Sequence, residues 1–205
     1  MTPPSTDSAR ERTRGFLYAL AAFTVWGLSP IYWKQIQALE PDRLLAHRIV
    51  WSALLLLVWL GWQGRLRGLA GRLGRPRTLA TLAASTVFIG INWFVYIWSV
   101  ANARILEASL GYFINPLVAV LLGMLVLGER LRPLQWLSVA LAAIGVILLT
   151  ARVGHLPWVS LVLAGSFGIY GLLRKTVDAT ADEGLALETW LLTPLALGWL
   201  AFGPA

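Results

Sequence analysis

Residues Leu79–Ala101 read LATLAASTVFIGINWFVYIWSVA, and beyond Asn102-Ala103-Arg104 the run Ile105–Leu127 reads ILEASLGYFINPLVAVLLGMLVL. Each run is close to the ~20 apolar residues that a helix needs to cross ~30 Å of hydrocarbon. Neither alternates with a period of two, so barrel strands of ~10 alternating residues are excluded. So short a linker makes the pair a hairpin of membrane-spanning helices.

The same texture continues on both sides. Gly15–Trp33, Leu44–Trp62, Leu134–Thr150, Leu156–Leu173 and Leu185–Phe202 are further apolar runs of spanning length. Short breakers separate them: Glu40-Pro41-Asp42, the Gly/Arg-rich Gln63–Arg77, Gly128-Glu129-Arg130, Gly154-His155 and Asp178–Gly184. Of 205 residues 58% are hydrophobic and 13% charged, with mean hydropathy +0.69. A soluble domain carries about 45–50% apolar and about 25% charged residues. So few charges could not cover a core with polar surface. The fold class is therefore an all-α integral membrane protein with about seven transmembrane helices. The absence of Cys and the presence of only two His, His47 and His155, exclude disulfide scaffolds, thiolate chemistry and zinc clusters.

A net charge of +7 suggests nucleic acid only if the chain is soluble. Laid on the spans, the cations divide by side. Arg10, Arg12, Arg14, Arg65, Arg67, Arg72, Arg75, Arg77, Arg130, Arg132, Arg174 and Lys175 share one face, against Lys34, Arg43, Arg104 and Arg152 on the other. By the positive-inside rule the amino terminus is cytoplasmic, and the expected location is the inner membrane, multi-pass. No nucleic-acid partner is then needed. The first run is too long for a signal-peptide core and no small-x-small cleavage site closes it, so an uncleaved span is expected. Trp33, Trp59, Trp62, Trp136, Trp158 and Trp199 sit near span ends as interfacial anchors, whereas Trp26 and Trp93 fall in mid-span and suit a cavity wall.

A shift of 141 residues aligns Gly27 with Gly168, Lys34 with Lys175 and Asp42 with Glu183, overlaying spans one and two on spans six and seven. A repeat of five spans is odd-numbered, so its second copy enters from the opposite face. The expected organisation is a cytoplasmic tail (1–14), one complete five-helix repeat (15–150) and two helices of an inverted second repeat (155–205).

Polar residues inside spans are costly and face a bundle interior or a watery cavity. His47 and Arg48 lie near the outer end of span two. Asn92, Tyr96 and Ser99 share one face of span three, and span four carries Glu107, Ser109, Tyr112, Asn115 and Pro116. Plainer readings stand beside these. Glu107 and Glu188, each placed in a first turn, would favour the positive helix end. Arg48 could snorkel to the interface, the asparagines could bridge helices, and Gly165, Gly168 and Gly171 could allow close approach.

The strings Ala46-His47-Arg48-Ile49-Val50-Trp51-Ser52, Gly90-Ile91-Asn92-Trp93, Leu106–Leu117 and Leu127-Gly128-Glu129-Arg130 closely resemble the RarD-type permeases of the EamA family, within the drug/metabolite transporter superfamily. The resemblance covers roughly residues 14–203. It implies ten helices in two inverted five-helix repeats, cytoplasmic termini and a central cavity. Against that plan the chain ends after span seven, as a truncated permease would.

The function expected is secondary transport of a small organic solute by alternating access, with proton coupling in view and no cofactor. The alternatives are a non-transporting membrane fragment or subunit, and a membrane-embedded enzyme. No HExxH, GxSxG or paired carboxylates at helical spacing support an enzyme, and no Walker A motif supports ATP use. The substrate-cavity candidates are Trp26, His47, Arg48, Asn92, Trp93, Tyr96, Glu107, Tyr112, Asn115, Tyr170 and Glu188. Glu107 is expected to pair with His47 or Arg48 as an outer gate or a proton-sensitive lock.

Overall fold

The structure, a computed structural model, describes residues 6–35, 40–153 and 157–204. Its helices are α1 (Thr6–Gln35), α2 (Pro41–Trp62), α3 (Leu66–Leu73), α4 (Pro76–Ala101), α5 (Ile105–Leu127), α6 (Pro133–Val153), α7 (Trp158–Lys175) and α8 (Ala181–Phe202). No strand occurs among the described residues, and the chain is an all-α membrane protein. It divides into two units, Met1–Ala38, which holds α1, and Leu39–Ala205. Proline opens α2, α4 and α6, where its missing N–H costs no intrahelical bond.

Among the described residues six helices are long and apolar enough to span: Thr13–Tyr32, α2, α4, α5, Pro133–Arg152 and α8. The eight-residue α3 is too short, and the exception among the longer helices is α7. Its 18 residues give about 27 Å of rise, and the last turn carries Arg174 and Lys175. The sixth span is therefore less apolar than expected, because it faces protein rather than lipid. It packs chiefly on α5 and α4, with Val159, Ser160, Leu163 and Ala164 buried.

Two further expectations change. The segment Gln63–Arg77, read as a loop, contains α3, which lies on α2 and α4 with Leu69 buried. The spans expected as antiparallel neighbours, α4 and α5, do touch, but α7 packs more extensively on each of them than they pack on each other. Tyr96 and Tyr112 mark their meeting, edge to face with centroids 6.1 Å apart.

Close approach at α5 and α7 depends on two glycines. A Cβ on Gly168 would lie 2.6 Å from Val118 Cγ1, and one on Gly111 3.1 Å from Ser160 O. Gly165 faces open space and so does Gly171, so only Gly168 of the expected trio serves this contact. Gly128, at φ 67°, ends α5 in the left-handed region that favours glycine. Glu129 N–H then returns to Gly123 O at 3.2 Å, and Lys175 Nζ reaches Glu129 Oε1 at 3.4 Å.

Outward faces are apolar, as hydrocarbon requires: Trp51, Leu55 and Val58 on α2, and Leu141, Ile147 and Leu148 on α6, are all exposed. Polar contacts gather at two ends. At one, Arg65 meets Asp182 at 2.7 Å and Glu183 at 2.8 Å. At the other, Arg43 Nε donates to Pro204 O at 2.9 Å and Trp199 Nε1 to Asp42 Oδ2 at 2.7 Å. The α2–α8 pair is thus antiparallel.

The glycine contacts generate a prediction. Gly168→Ala should destabilise the detergent-solubilised chain by about 1–3 kcal/mol through overpacking against Val118. Gly165→Ala should be neutral or stabilising by up to about 1 kcal/mol, since Gly is a poor helix former. Thermal unfolding followed by size-exclusion fluorescence compares the two.

Candidate functional site: polar groups inside the bundle

The expected cavity residues do not form one cluster. Within residues 39–205 the structure sorts them into separate groups at different heights.

The first group is aromatic. Arg48, half-buried on α2, stacks on Trp93 of α4 with its guanidinium carbon 4.5 Å from the ring centroid. Burial strengthens such a cation–π contact to about 2 kcal/mol. Tyr96 and Tyr112 lie near this cation. His47, one residue earlier, points away and is exposed. Asn92, on the same helix as Trp93, donates to Leu163 O at 2.9 Å and to Ser166 Oγ at 3.0 Å. Both amide hydrogens are held by α7, so Asn92 clamps two helices together.

The second group lies at the α4–α5 turn. Glu107 accepts from Arg104 Nε at 2.7 Å, and Arg104 also lies over Trp98 and Trp158. The pairing expected with His47 or Arg48 is therefore replaced by one three residues away, where the helix brings Arg104 under the carboxylate. Glu107 Oε2 is buried without a hydrogen-bond partner among the described residues. A cavity of about 510 Å³ opens here, lined by Arg104, Glu107, Ser109, Phe113 and Arg152. Asn115 borders a separate cavity of about 140 Å³ between α5 and α7, and its Oδ1 is also without a partner among the described residues.

The third group centres on Glu188. It was expected in a first turn, but α8 starts at Ala181, closed by a capping box between Thr180 and Glu183. The helix dipole therefore acts on Asp182 and Glu183, while Glu188 sits about 8 Å further in. It is fully buried. Ser85 Oγ of α4 donates to Oε1 at 2.7 Å, Tyr170 OH of α7 donates to Oε2 at 3.2 Å, and Arg174 Nε lies 3.8 Å away. Arg174 Nη2 also donates to Thr180 O at 3.1 Å.

The space for that guanidinium comes from Gly184, one turn before Glu188. A Cβ there would collide with the Arg174 side chain. Just outside, the hydrogen bonds that the Arg65 guanidinium donates to Asp182 and then Glu183 hold it above its usual pKa. Ser85 and Arg174 were missed as site residues. Ser85 is one hydroxyl in an apolar run, and Arg174 reads as a loop cation until the chain folds back over Gly184. Trp26 lies on α1, in the other unit, where its carbonyl accepts from Ser29.

A multi-pass helical membrane protein with ionised and amide groups inside its bundle defines the class. Residues 13–151 match the EamA-like transporter family, and the chain belongs to that family. It is 51% identical to an uncharacterised transporter of Pseudomonas aeruginosa over 195 residues, covering 92% of this chain and 63% of the relative. It is 45% identical to protein RarD of Salmonella typhimurium, covering 96% of this chain and 67% of the relative. A second Pseudomonas aeruginosa relative, named chloramphenicol-sensitive protein RarD, is 36% identical, covering 91% and 64%. The chain thus spans about two thirds of the length of the curated relatives it matches. No solved structure matches it.

Proposed function

We propose that this chain acts as a multi-pass permease of the inner membrane, moving a small organic solute by alternating access with proton coupling. The observation that carries the reading is the set of polar groups inside an apolar bundle, Arg48 on Trp93 with Tyr96 and Tyr112 nearby, and Glu188 among Ser85, Tyr170 and Arg174. Intramembrane ionisable groups are expensive and mark solute or proton paths. Arg48 and its aromatic neighbours are the part suited to a ring-bearing solute.

The domain plan belongs to the same proposal: a first repeat at 15–150 and the start of an inverted second repeat at 155–205. Shifting by 141 residues carries α2 onto α8. Equivalents about a two-fold axis in the membrane plane must run antiparallel, and α2 and α8 do, with Arg43 at Pro204 and Arg65 at Asp182. The cation-rich end, holding Arg65, Arg130, Arg174 and Lys175, is then the cytoplasmic one.

Two measurements check these points. The chain has no native Cys, so single cysteines report cleanly. In intact cells a cysteine at Gly71 should resist an impermeant thiol reagent and one at Ala103 should label readily; the reverse pattern overturns the orientation. For transport, the name of one relative makes chloramphenicol the first probe. Proteoliposomes of the chain should accumulate it by counterflow above protein-free vesicles, with Arg48→Ala lowering the rate about tenfold, equivalent to ~1.4 kcal/mol. Rates equal to protein-free vesicles would count against the reading.

A further inference from the structure

We propose that Glu188 is the proton-binding site of this chain and that its protonation releases Arg174, unlocking the end of the bundle that holds Arg65. The proposal rests on the permease reading and names the residue that couples a proton to the conformational change.

Glu188 is fully buried, and three elements enclose it. From α4 it meets the Ser85 hydroxyl, and from α7 the Tyr170 hydroxyl and the Arg174 guanidinium. On α2 the charged residues Asp42, Arg43 and Arg48 lie toward the opposite end, where Arg43 holds Pro204 and Asp42 holds Trp199. On α8 itself, Asp182 and Glu183 are engaged by Arg65. The formal charge facing Glu188 is therefore Arg174.

Arg174 depends on that carboxylate just as strongly. Its side chain is mostly buried, its Nη1 has no acceptor among the described residues, and it fits only because Gly184 lacks a side chain. Removing the charge of one partner leaves the other buried without compensation. When hydronium at the Arg65 end gives a proton to Glu188 Oε2, an O–H bond of the hydronium breaks to leave water, one to Oε2 forms, and the carboxylate charge is lost. Oε1 still accepts from Ser85, and the new O–H turns to the Tyr170 oxygen. The guanidinium then moves to water.

As it leaves, it gives up Thr180 O, and the α7–α8 turn loses the side-chain bond that ties it to α7. The same turn leads into Asp182 and Glu183, which Arg65 grips, and α7 ends at Lys175, paired with Glu129. One proton thus reaches contacts from the α2–α3 junction, the end of α5, α7 and α8. Return of the proton to water restores the carboxylate and draws Arg174 back over Gly184.

The test uses the whole chain in lipid nanodiscs with spin labels on cysteines introduced at Arg130 and Asp178, both exposed at this end. Electron–electron resonance distances should be short and narrow at neutral pH and lengthen on acidification. Glu188→Gln should give the long distribution at every pH, and Glu188→Asp should keep the pH response. Gly184→Ala, which crowds Arg174 out, should give the long distribution without removing the carboxylate. A wild-type distribution unchanged by pH, or a Glu188→Gln variant that keeps the wild-type pH response, would overturn the proposal. The readout needs no solute, so absent flux would weigh on the permease reading while these distances decide the switch.

Discussion

A carboxylate sealed inside a helical bundle needs every oxygen lone pair and its charge answered by protein, because hydrocarbon supplies neither donors nor counter-ions. Glu188 imposes that requirement here, and much of the surrounding architecture answers it. Ser85 fixes the register of α4 against α8, Tyr170 fixes the face of α7, and Arg174 must double back over its own helix end. The last demand reaches the sequence at Gly184, where any side chain would displace the guanidinium. The capping box at Thr180 and Glu183 sets the start of α8, and so places Glu188 two turns inside it.

The same requirement explains why α7, the one long helix that falls short of the others' apolarity among the described residues, packs closely on both α4 and α5. Its polar side chains answer groups on its neighbours: Ser160 donates to Glu107 O at 2.6 Å, and Ser166 accepts from Asn92 at 3.0 Å. A helix wrapped by protein can carry hydroxyls and end in two cations, whereas α6, touching mainly α5, keeps an apolar exterior. Glycine serves this helix where contact is tightest, at Gly168 against Val118, and not at the neighbouring Gly165 or Gly171.

The fold class was legible because apolar run length and charge placement answer directly to bilayer thickness and the two water phases. Helix ends were less so. α4 begins at Pro76 rather than Leu79 and α8 at Ala181 rather than Leu185, since capping and proline geometry extend helices past the apolar run. Single side chains in the interior were legible too: Arg48, Asn92, Tyr170 and Glu188 stand out as polar residues within apolar runs. Their partners were not. Glu107 pairs with Arg104 and not with α2, a choice between near neighbours that depends on helix rotation, which no spacing rule reveals. Arg174 reads as a loop cation in one dimension, because a cation at a helix end belongs to water there.

Glu188 and Arg174 neutralise each other inside the bundle. Reversible unfolding in mixed micelles of wild type, Arg174→Gln, Glu188→Gln and the double variant tests it most directly. Each single change should lower stability by about 3–5 kcal/mol, because it leaves an uncompensated buried charge. The double variant should recover most of that loss. Losses that simply add in the double variant would contradict the account, since two independent charges would then each have been satisfied elsewhere.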